Sequence, residues 1–138
     1  MLFNRWNWRR ILFEYYRIIK QCYNRCLSCN ESGTNEENNC VKCKNDEYHF
    51  DPYKANHCIN RDELPNINYY LDINDDKYKI CNERCLECEG PNETQCLSCN
   101  NSNGYYSKED DINIICYSLD EIEDGYYFNS DNNNKKMQ

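Results

Sequence analysis

The residues of this chain with the clearest chemistry are its 12 cysteines. Thiols form disulfides in oxidising compartments, hold zinc as thiolates, or act as redox centres in C-x-x-C pairs. Twelve cysteines in 138 residues is close to 9 %, a content typical of a disulfide scaffold. The cysteines lie at positions 22, 26, 29, 40, 43, 58, 81, 85, 88, 96, 99 and 116.

The cysteines fall into two groups of six with the same spacing. Each group follows C-x3-C-x2-C, then C-x2-C, then C, and the offsets between the groups are 59, 59, 59, 56, 56 and 58 residues. This period predicts two tandem repeats. We define a lead (residues 1–21), repeat 1 (residues 22–80) and repeat 2 (residues 81–138). The spacing of the tyrosine pairs predicts that the chain is a fragment of a longer repeat array.

Paired C-x-x-C knuckles also have the spacing of a four-cysteine zinc site. This alternative describes an intracellular zinc-binding module. It leaves the first and last cysteine of each repeat without a use, whereas three disulfides use all six. The zinc ligands would be Cys26, Cys29, Cys40, Cys43, Cys85, Cys88, Cys96 and Cys99.

The composition excludes a conventional hydrophobic core. Phe, Ile, Leu and Val together supply 24 of the 138 residues, and the net charge is −8. A chain of this kind without cross-links is expected to stay disordered. No sequence motif places an activated nucleophile beside a base. We therefore expect no enzyme activity and no resident cofactor.

Charge is distributed unevenly along the chain. The lead carries five basic residues and one acidic residue, so the rest of the chain carries a net charge of −12. An acidic body repels phosphate backbones, so we expect no nucleic-acid partner. No apolar run approaches the roughly 20 residues of a membrane span, although a parent protein can carry one elsewhere. The lead has no apolar h-region, so no signal peptide is predicted in this chain.

Secondary structure is expected to be sparse. Residues 69–73 alternate and favour a strand, residues 74–76 form a turn, and residues 77–80 can return as a second strand. Residues 126–130 would begin the equivalent hairpin. Residues 30–39 and 89–94 are predicted loops. Residues 6–19 can form a short N-terminal helix, and a disordered tail is expected from about residue 131.

The cysteine pattern followed by an aromatic hairpin resembles the furin-like repeats of growth-factor-receptor cysteine-rich regions. Repeat 2 is the closer match, with Gly90-Pro91 and Gly104-Tyr105-Tyr106. Both repeats depart from many family members in lacking a cysteine four residues after the sixth, where Asp62 and Asp120 stand. Similar arrays occur on surface proteins of protists and some fungi.

The resemblance implies the fold class, the pairing and the location. The fold is expected to be small and disulfide-rich, a rod of two tandem repeats with short β-hairpins and loops. The function is expected to be a non-catalytic extracellular or cell-surface stalk, spacer or protein-binding segment with a protein partner. The implied disulfides are Cys22–Cys29, Cys26–Cys40, Cys43–Cys58, Cys81–Cys88, Cys85–Cys96 and Cys99–Cys116.

Three further groups of residues have predicted roles. Glycosylation sequons begin at Asn30, Asn92 and Asn100. His49 and His57 are expected at the surface. Candidate partner contacts are the exposed members of the tyrosine pairs, because tyrosine is favoured at interfaces. Those pairs are Tyr105, Tyr106, Tyr126 and Tyr127.

Overall fold

The computed structural model describes residues 18–130 and 136–137. The predicted N-terminal helix lies outside the described residues. So does the predicted tail, apart from two residues that form a short strand. Within the described residues, no helix has the length and apolar character needed to cross a membrane.

Each repeat opens with a hairpin whose strands begin and end on cysteines. In repeat 1, β1 (Cys26–Cys29) pairs with β2 (Cys40–Cys43), antiparallel. The C-x-x-C spacing places both cysteines of a strand where they meet the cysteines of its partner: Cys26 lies opposite Cys43, and Cys29 opposite Cys40.

A four-stranded sheet of order β4-β3-β6-β5 completes repeat 1. It contains β3 (His49–Phe50), β4 (Cys58–Ile59), β5 (Tyr69–Asp72) and β6 (Lys77–Ile80). The β5–β6 hairpin confirms the strand, turn and strand predicted for residues 69–80. The returning strand β6 lies parallel to β3, so this hairpin belongs to the sheet of repeat 1.

Repeat 2 has the same plan with a smaller sheet. Its hairpin is β7 (Cys85–Cys88) with β8 (Cys96–Cys99). Its sheet has the order β10-β9-β11, from β9 (Tyr105–Lys108), β10 (Cys116–Ser118) and β11 (Lys136–Met137). Gly104, with a φ of 86°, adopts the left-handed conformation that favours glycine immediately before β9.

One strand prediction in repeat 2 is wrong. Residues 126–130 contribute a single bridge at Phe128 and no regular strand. Phe128 packs on Tyr106 with ring centroids 4.5 Å apart, while Tyr126 donates a hydrogen bond to Asp110. Side-chain contacts with β9 and the loop after it therefore replace the ladder that β5 makes with β6. Strand β11, parallel to β9, takes the position that β6 has in repeat 1.

The core consists of cystines and tyrosines, as the composition predicts. Ile59 is the one aliphatic side chain that is buried within the described residues. One cluster in each repeat is built on its cysteines, and Tyr48 and Phe50 pack on the cluster of repeat 1. Four short 3-10 helices connect the strands in the described residues: Arg61–Glu63, Glu93–Gln95, Asn101–Asn103 and Leu119–Glu121.

Candidate functional site

All 12 cysteines are paired, and the pairing order is the same in both repeats. Within each repeat the first cysteine joins the third, the second the fourth, and the fifth the sixth, which is the order that the furin-like resemblance implies. The Cα–Cα separations run from 5.0 to 5.9 Å. The pairs are Cys22–Cys29, Cys26–Cys40, Cys43–Cys58, Cys81–Cys88, Cys85–Cys96 and Cys99–Cys116.

This pairing favours an extracellular module over the intracellular zinc module. Zinc binds cysteine as the thiolate, and a sulfur in a disulfide carries no such charge. Among the described residues, no group of three or more His, Cys, Asp or Glu side chains is placed to hold a metal ion. The disulfide pairing therefore counts against the zinc alternative, since it leaves none of its ligands as a thiolate. Its eight proposed ligands were Cys26, Cys29, Cys40, Cys43, Cys85, Cys88, Cys96 and Cys99.

An arginine ties the two ends of each repeat together. In repeat 2, the Arg84 guanidinium donates to the Cys116 carbonyl at 3.0 Å and to both carboxylate oxygens of Glu121, at 2.7 and 2.9 Å. The guanidinium carbon of Arg84, Cζ, also lies 5.0 Å from the centroid of the Tyr105 ring. We call this set of contacts the arginine clasp.

Repeat 1 contains the same clasp. Arg25 donates to the Cys58 carbonyl at 3.2 Å and to Glu63 at 2.5 Å, and it lies 5.0 Å from the Tyr48 ring centroid. No role is predicted for these residues from the sequence. The missed signal is that they share the cysteine period, because the two arginines are 59 residues apart and the two glutamates 58.

The arginine clasp lowers the pKa of the glutamate in each repeat. The hydrogen bond from Arg84, with a second from the Ser118 backbone N–H, lowers the pKa of Glu121 to about 2. The hydrogen bond from Arg25 likewise lowers the pKa of Glu63. Each glutamate also accepts a hydrogen bond from the backbone N–H of the residue that caps its own 3-10 helix, Asn60 for Glu63 and Ser118 for Glu121. The clasp therefore joins the helix, the sheet and the cysteine hairpin.

Two adjacent tyrosines connect the repeats. Tyr69 and Tyr70 point to opposite sides of β5 because side chains alternate along a strand. Tyr69 shares a hydrogen bond of 2.5 Å with the Tyr53 hydroxyl, and burial together with that bond raises the pKa of Tyr69 to about 12. Tyr70, 8 % exposed, packs in the cysteine cluster of repeat 2 with Cys81 and Cys85. The β5–β6 hairpin therefore reaches from the sheet of one repeat into the core of the next.

The four candidate contact tyrosines have different surroundings. Tyr105 lies beneath Arg84, and Tyr106 is buried against Phe128. Tyr126 donates to Asp110 at 3.0 Å. Tyr127 is 63 % exposed, which makes it the one member of the four that is mostly presented to solvent.

Lys108 is a buried cation enclosed by aromatic rings. It is 7 % exposed and lies 4.4 Å from the Tyr117 ring centroid and 4.5 Å from the Tyr126 ring centroid. Its ammonium also donates to Glu123 at 3.3 Å. These contacts neutralise a charge that burial would otherwise penalise.

The two histidines are buried, so the expectation that they lie at the surface is wrong. Each is 9 % exposed. The ring nitrogens of His49 face Asp76 at 2.5 Å and the Asp46 carbonyl at 2.9 Å. His57 Nδ1 accepts the Asn38 backbone N–H, and burial lowers the pKa of His57. Both rings satisfy backbone or loop groups in a repeat that has few apolar residues to fill it.

The sequons are presented unequally. Asn30 and Asn92 are exposed, whereas Asn100 is 6 % exposed at the end of β8. A glycan needs an acceptor side chain that reaches solvent, so Asn100 does not fit the folded protein. We retain Asn30 and Asn92 as candidate acceptors.

A groove of about 310 Å³ opens on the surface of repeat 2. Its apolar wall includes Leu86, Leu97 and Ile114, and Ser107 and Cys99 also line it. Leu97 is 51 % and Ile114 41 % exposed. Glu109 and Asp111 supply carboxylates to its lining.

The chain is similar to several cysteine-rich repeat proteins. It is 28 % identical over 125 residues to cysteine-rich with EGF-like domain protein 2 of Danio rerio, covering 86 % of this chain and 34 % of that protein. It is 30 % identical over 111 residues to cysteine repeat modular protein 2 of Tetrahymena thermophila, covering 79 % of this chain and 5 % of that protein.

A third relative is proprotein convertase subtilisin/kexin type 5 of Branchiostoma californiense, 30 % identical over 90 residues, which are 65 % of this chain and 5 % of that protein. The chain therefore spans about a third of the Danio protein and a small part of the other two. No family model and no solved structure matches the chain. Six disulfides together with cysteine-rich relatives are typical of extracellular proteins.

Proposed function

We propose that this chain is a non-catalytic extracellular or cell-surface segment in which two furin-like repeats serve as a stalk, spacer or protein-binding region of a longer array. The observation that carries the proposal is the pairing of all 12 cysteines in one order that both repeats share. The similarity to cysteine-rich repeat proteins supports it. Each bridge typically contributes about 2–4 kcal/mol by restricting the unfolded chain, so six bridges can replace the missing aliphatic core.

The proposed units are repeat 1 (residues 22–80) and repeat 2 (residues 81–138), preceded by the lead (residues 1–21). The parallel pairing of β6 with β3 supports a boundary after residue 80. Tyr70 then acts as the link, because it lies in β5 of the sheet of repeat 1 while it packs among the cystines of repeat 2. A chain whose units are joined through side chains in this way suits a spacer, since each unit is braced by the one before it.

Intact mass spectrometry of the non-reduced protein, secreted from eukaryotic cells and treated with an alkylating reagent, tests this proposal. We expect no alkylation, a mass lower by two hydrogens for each of the six bridges, and no retained metal. A reduced and denatured sample, which takes up reagent at all 12 cysteines, is the control. Twelve alkylated thiols after denaturation without reductant, with zinc retained in the native spectrum, would overturn the proposal.

A further inference from the structure

Among the positions at which the two repeats differ, one lies on a strand and faces the cystines. Phe50 on β3 lies opposite Cys58, and Ser107 on β9 lies opposite Cys116, so the two residues occupy the same register position. The residues two positions earlier are both tyrosines that pack on their cysteine clusters, Tyr48 in repeat 1 and Tyr105 in repeat 2. Because alternate residues of a strand share a face, Phe50 and Ser107 also face the clusters.

The smaller residue leaves space in repeat 2. In repeat 1 the Phe50 ring packs against the cystine cluster. In repeat 2 Ser107 lines the groove of about 310 Å³, together with Cys99 of the cystine that joins β8 to β10. An apolar cavity of about 150 Å³ is enough to bind benzene. The groove therefore has room for an aromatic ring like the one that repeat 1 supplies from its own chain.

The lining indicates the charge of an occupant. The groove carries the carboxylates of Glu109 and Asp111 and one cation, Lys108. The Lys108 ammonium is already paired with Glu123 and enclosed by two tyrosine rings. The remaining charge is negative, on a chain whose net charge is −8. A ligand that combines an aromatic ring with a neighbouring cation is complementary to both the shape and the charge.

We propose that the groove of repeat 2 binds a segment of a partner protein that inserts a phenylalanine-type side chain beside a lysine or arginine. The ring takes the place that Phe50 has in repeat 1, and the basic residue lies against Glu109 and Asp111. The proposal rests on the extracellular function above and assigns it a specific binding site. The alkylation experiment tests that function separately, so failure of peptide binding leaves the spacer proposal intact.

The probe is the synthetic peptide acetyl-Gly-Phe-Arg-Gly-amide, added to the full chain while the methyl resonances of Leu86, Leu97 and Ile114 are followed by NMR. We expect saturable shifts of these methyls. Replacing Phe by Ala in the peptide should weaken binding at least about tenfold, because a buried aromatic ring supplies most of the apolar contact. Replacing Arg by Glu should weaken it at least about threefold.

Two protein variants make the test specific. Ser107→Phe supplies the ring of repeat 1 and should abolish binding, with the disulfide mass and the circular dichroism spectrum unchanged. Phe50→Ser opens the equivalent position in repeat 1, where Pro52 and Lys54 stand in place of Glu109 and Asp111. It should therefore add no second site for this peptide, and a second site there would overturn the charge argument. If Phe50→Ser fails to fold, Ser107→Phe remains the deciding variant because it adds apolar contact to an existing space.

Undiminished binding by a folded Ser107→Phe variant would overturn the proposal, as would equal binding of the Arg and Glu peptides. Sedimentation velocity addresses another occupant. A dimer of the unmodified chain that Ser107→Phe converts to a monomer would show that a second copy fills the groove, which would also overturn the proposed separate partner.

Discussion

Removal of the arginine clasp from repeat 2 gives the sharpest test of how these repeats are held together. Arg84→Ala deletes a charged donor to the Cys116 carbonyl, worth about 1.5–3 kcal/mol, and a ring contact worth about 0.5–1 kcal/mol. It also deletes the pair with Glu121, whose side chain is 41 % exposed, so solvent limits that pair to about 1 kcal/mol. Because the three contacts share one guanidinium and do not add fully, we expect a loss of about 2–3 kcal/mol in the free energy of unfolding.

The pH dependence separates these contributions. The ordinary pKa of Glu121 is 4.5, and the clasp lowers it to about 2. A group with a lowered folded-state pKa stabilises the protein above its unfolded pKa, and this stability is lost as the pH falls through the folded value. The difference between the unmodified chain and Arg84→Ala should therefore shrink by up to about 1 kcal/mol between pH 7 and pH 2. The carbonyl and ring contributions should persist.

The assay is urea unfolding of the oxidised protein, followed by near-ultraviolet circular dichroism. Urea is preferable to guanidinium chloride because the salt would screen the ion pair. Arg25→Ala should behave in the same way in repeat 1, and Glu121→Gln should cost about 1 kcal/mol or less. Lys42→Ala, on an exposed strand position, controls for loss of a positive charge.

Two results would refute the reasoning. One is an Arg84→Ala free energy of unfolding within about 0.5 kcal/mol of that of Lys42→Ala, the range of ordinary surface substitutions. The other is a difference between the unmodified chain and Arg84→Ala that does not change with pH. The second result would show that the Glu121 carboxylate is not bound by the guanidinium in solution.

Two further predictions follow from burial. Tyr70→Ala should destabilise repeat 2 by about 3 kcal/mol or more in urea unfolding. Tyr127, its counterpart in repeat 2, is 63 % exposed, so Tyr127→Ala should cost about 1 kcal/mol or less. Equal losses would contradict the role of Tyr70 as the link. In protein secreted from eukaryotic cells, Asn30→Gln and Asn92→Gln should each remove one glycan mass and Asn100→Gln none, so a glycopeptide at Asn100 would contradict the structure.

The repeat, the cystine-based core and the β5–β6 hairpin follow from local or periodic features of the sequence. Strand, turn and strand between residues 69 and 80 are close neighbours along the chain, so local patterns suffice to predict them. The scarcity of aliphatic residues correctly predicts that cysteine and tyrosine fill the interior. The disulfide order does not follow from spacing, since six cysteines allow 15 pairings. It depends on resemblance to a family.

Burial of the histidines and of Asn100 depends on tertiary packing. His57 accepts a hydrogen bond from Asn38, 19 residues earlier, in a loop that a disulfide closes. A polar side chain in a loop is normally expected to be exposed to solvent. His57 is buried because the disulfide folds its loop back onto Asn38, and that contact is visible only in the tertiary structure. The strand predicted for residues 126–130 is absent for the same reason. The ring of Phe128 packs on Tyr106 instead of the segment forming a regular ladder.

The cysteine period and the composition determine that this chain is a pair of cross-linked repeats. The arginine clasp and the groove beside Ser107 are decided in three dimensions. Arg84 and Glu121 are 37 residues apart and meet because the Cys99–Cys116 disulfide and the β9–β10 pairing bring the end of the repeat back to its first hairpin. The space beside Ser107 likewise depends on which side chains the fold places around it. These side chains come from separate parts of the chain, so no local sequence pattern predicts the groove.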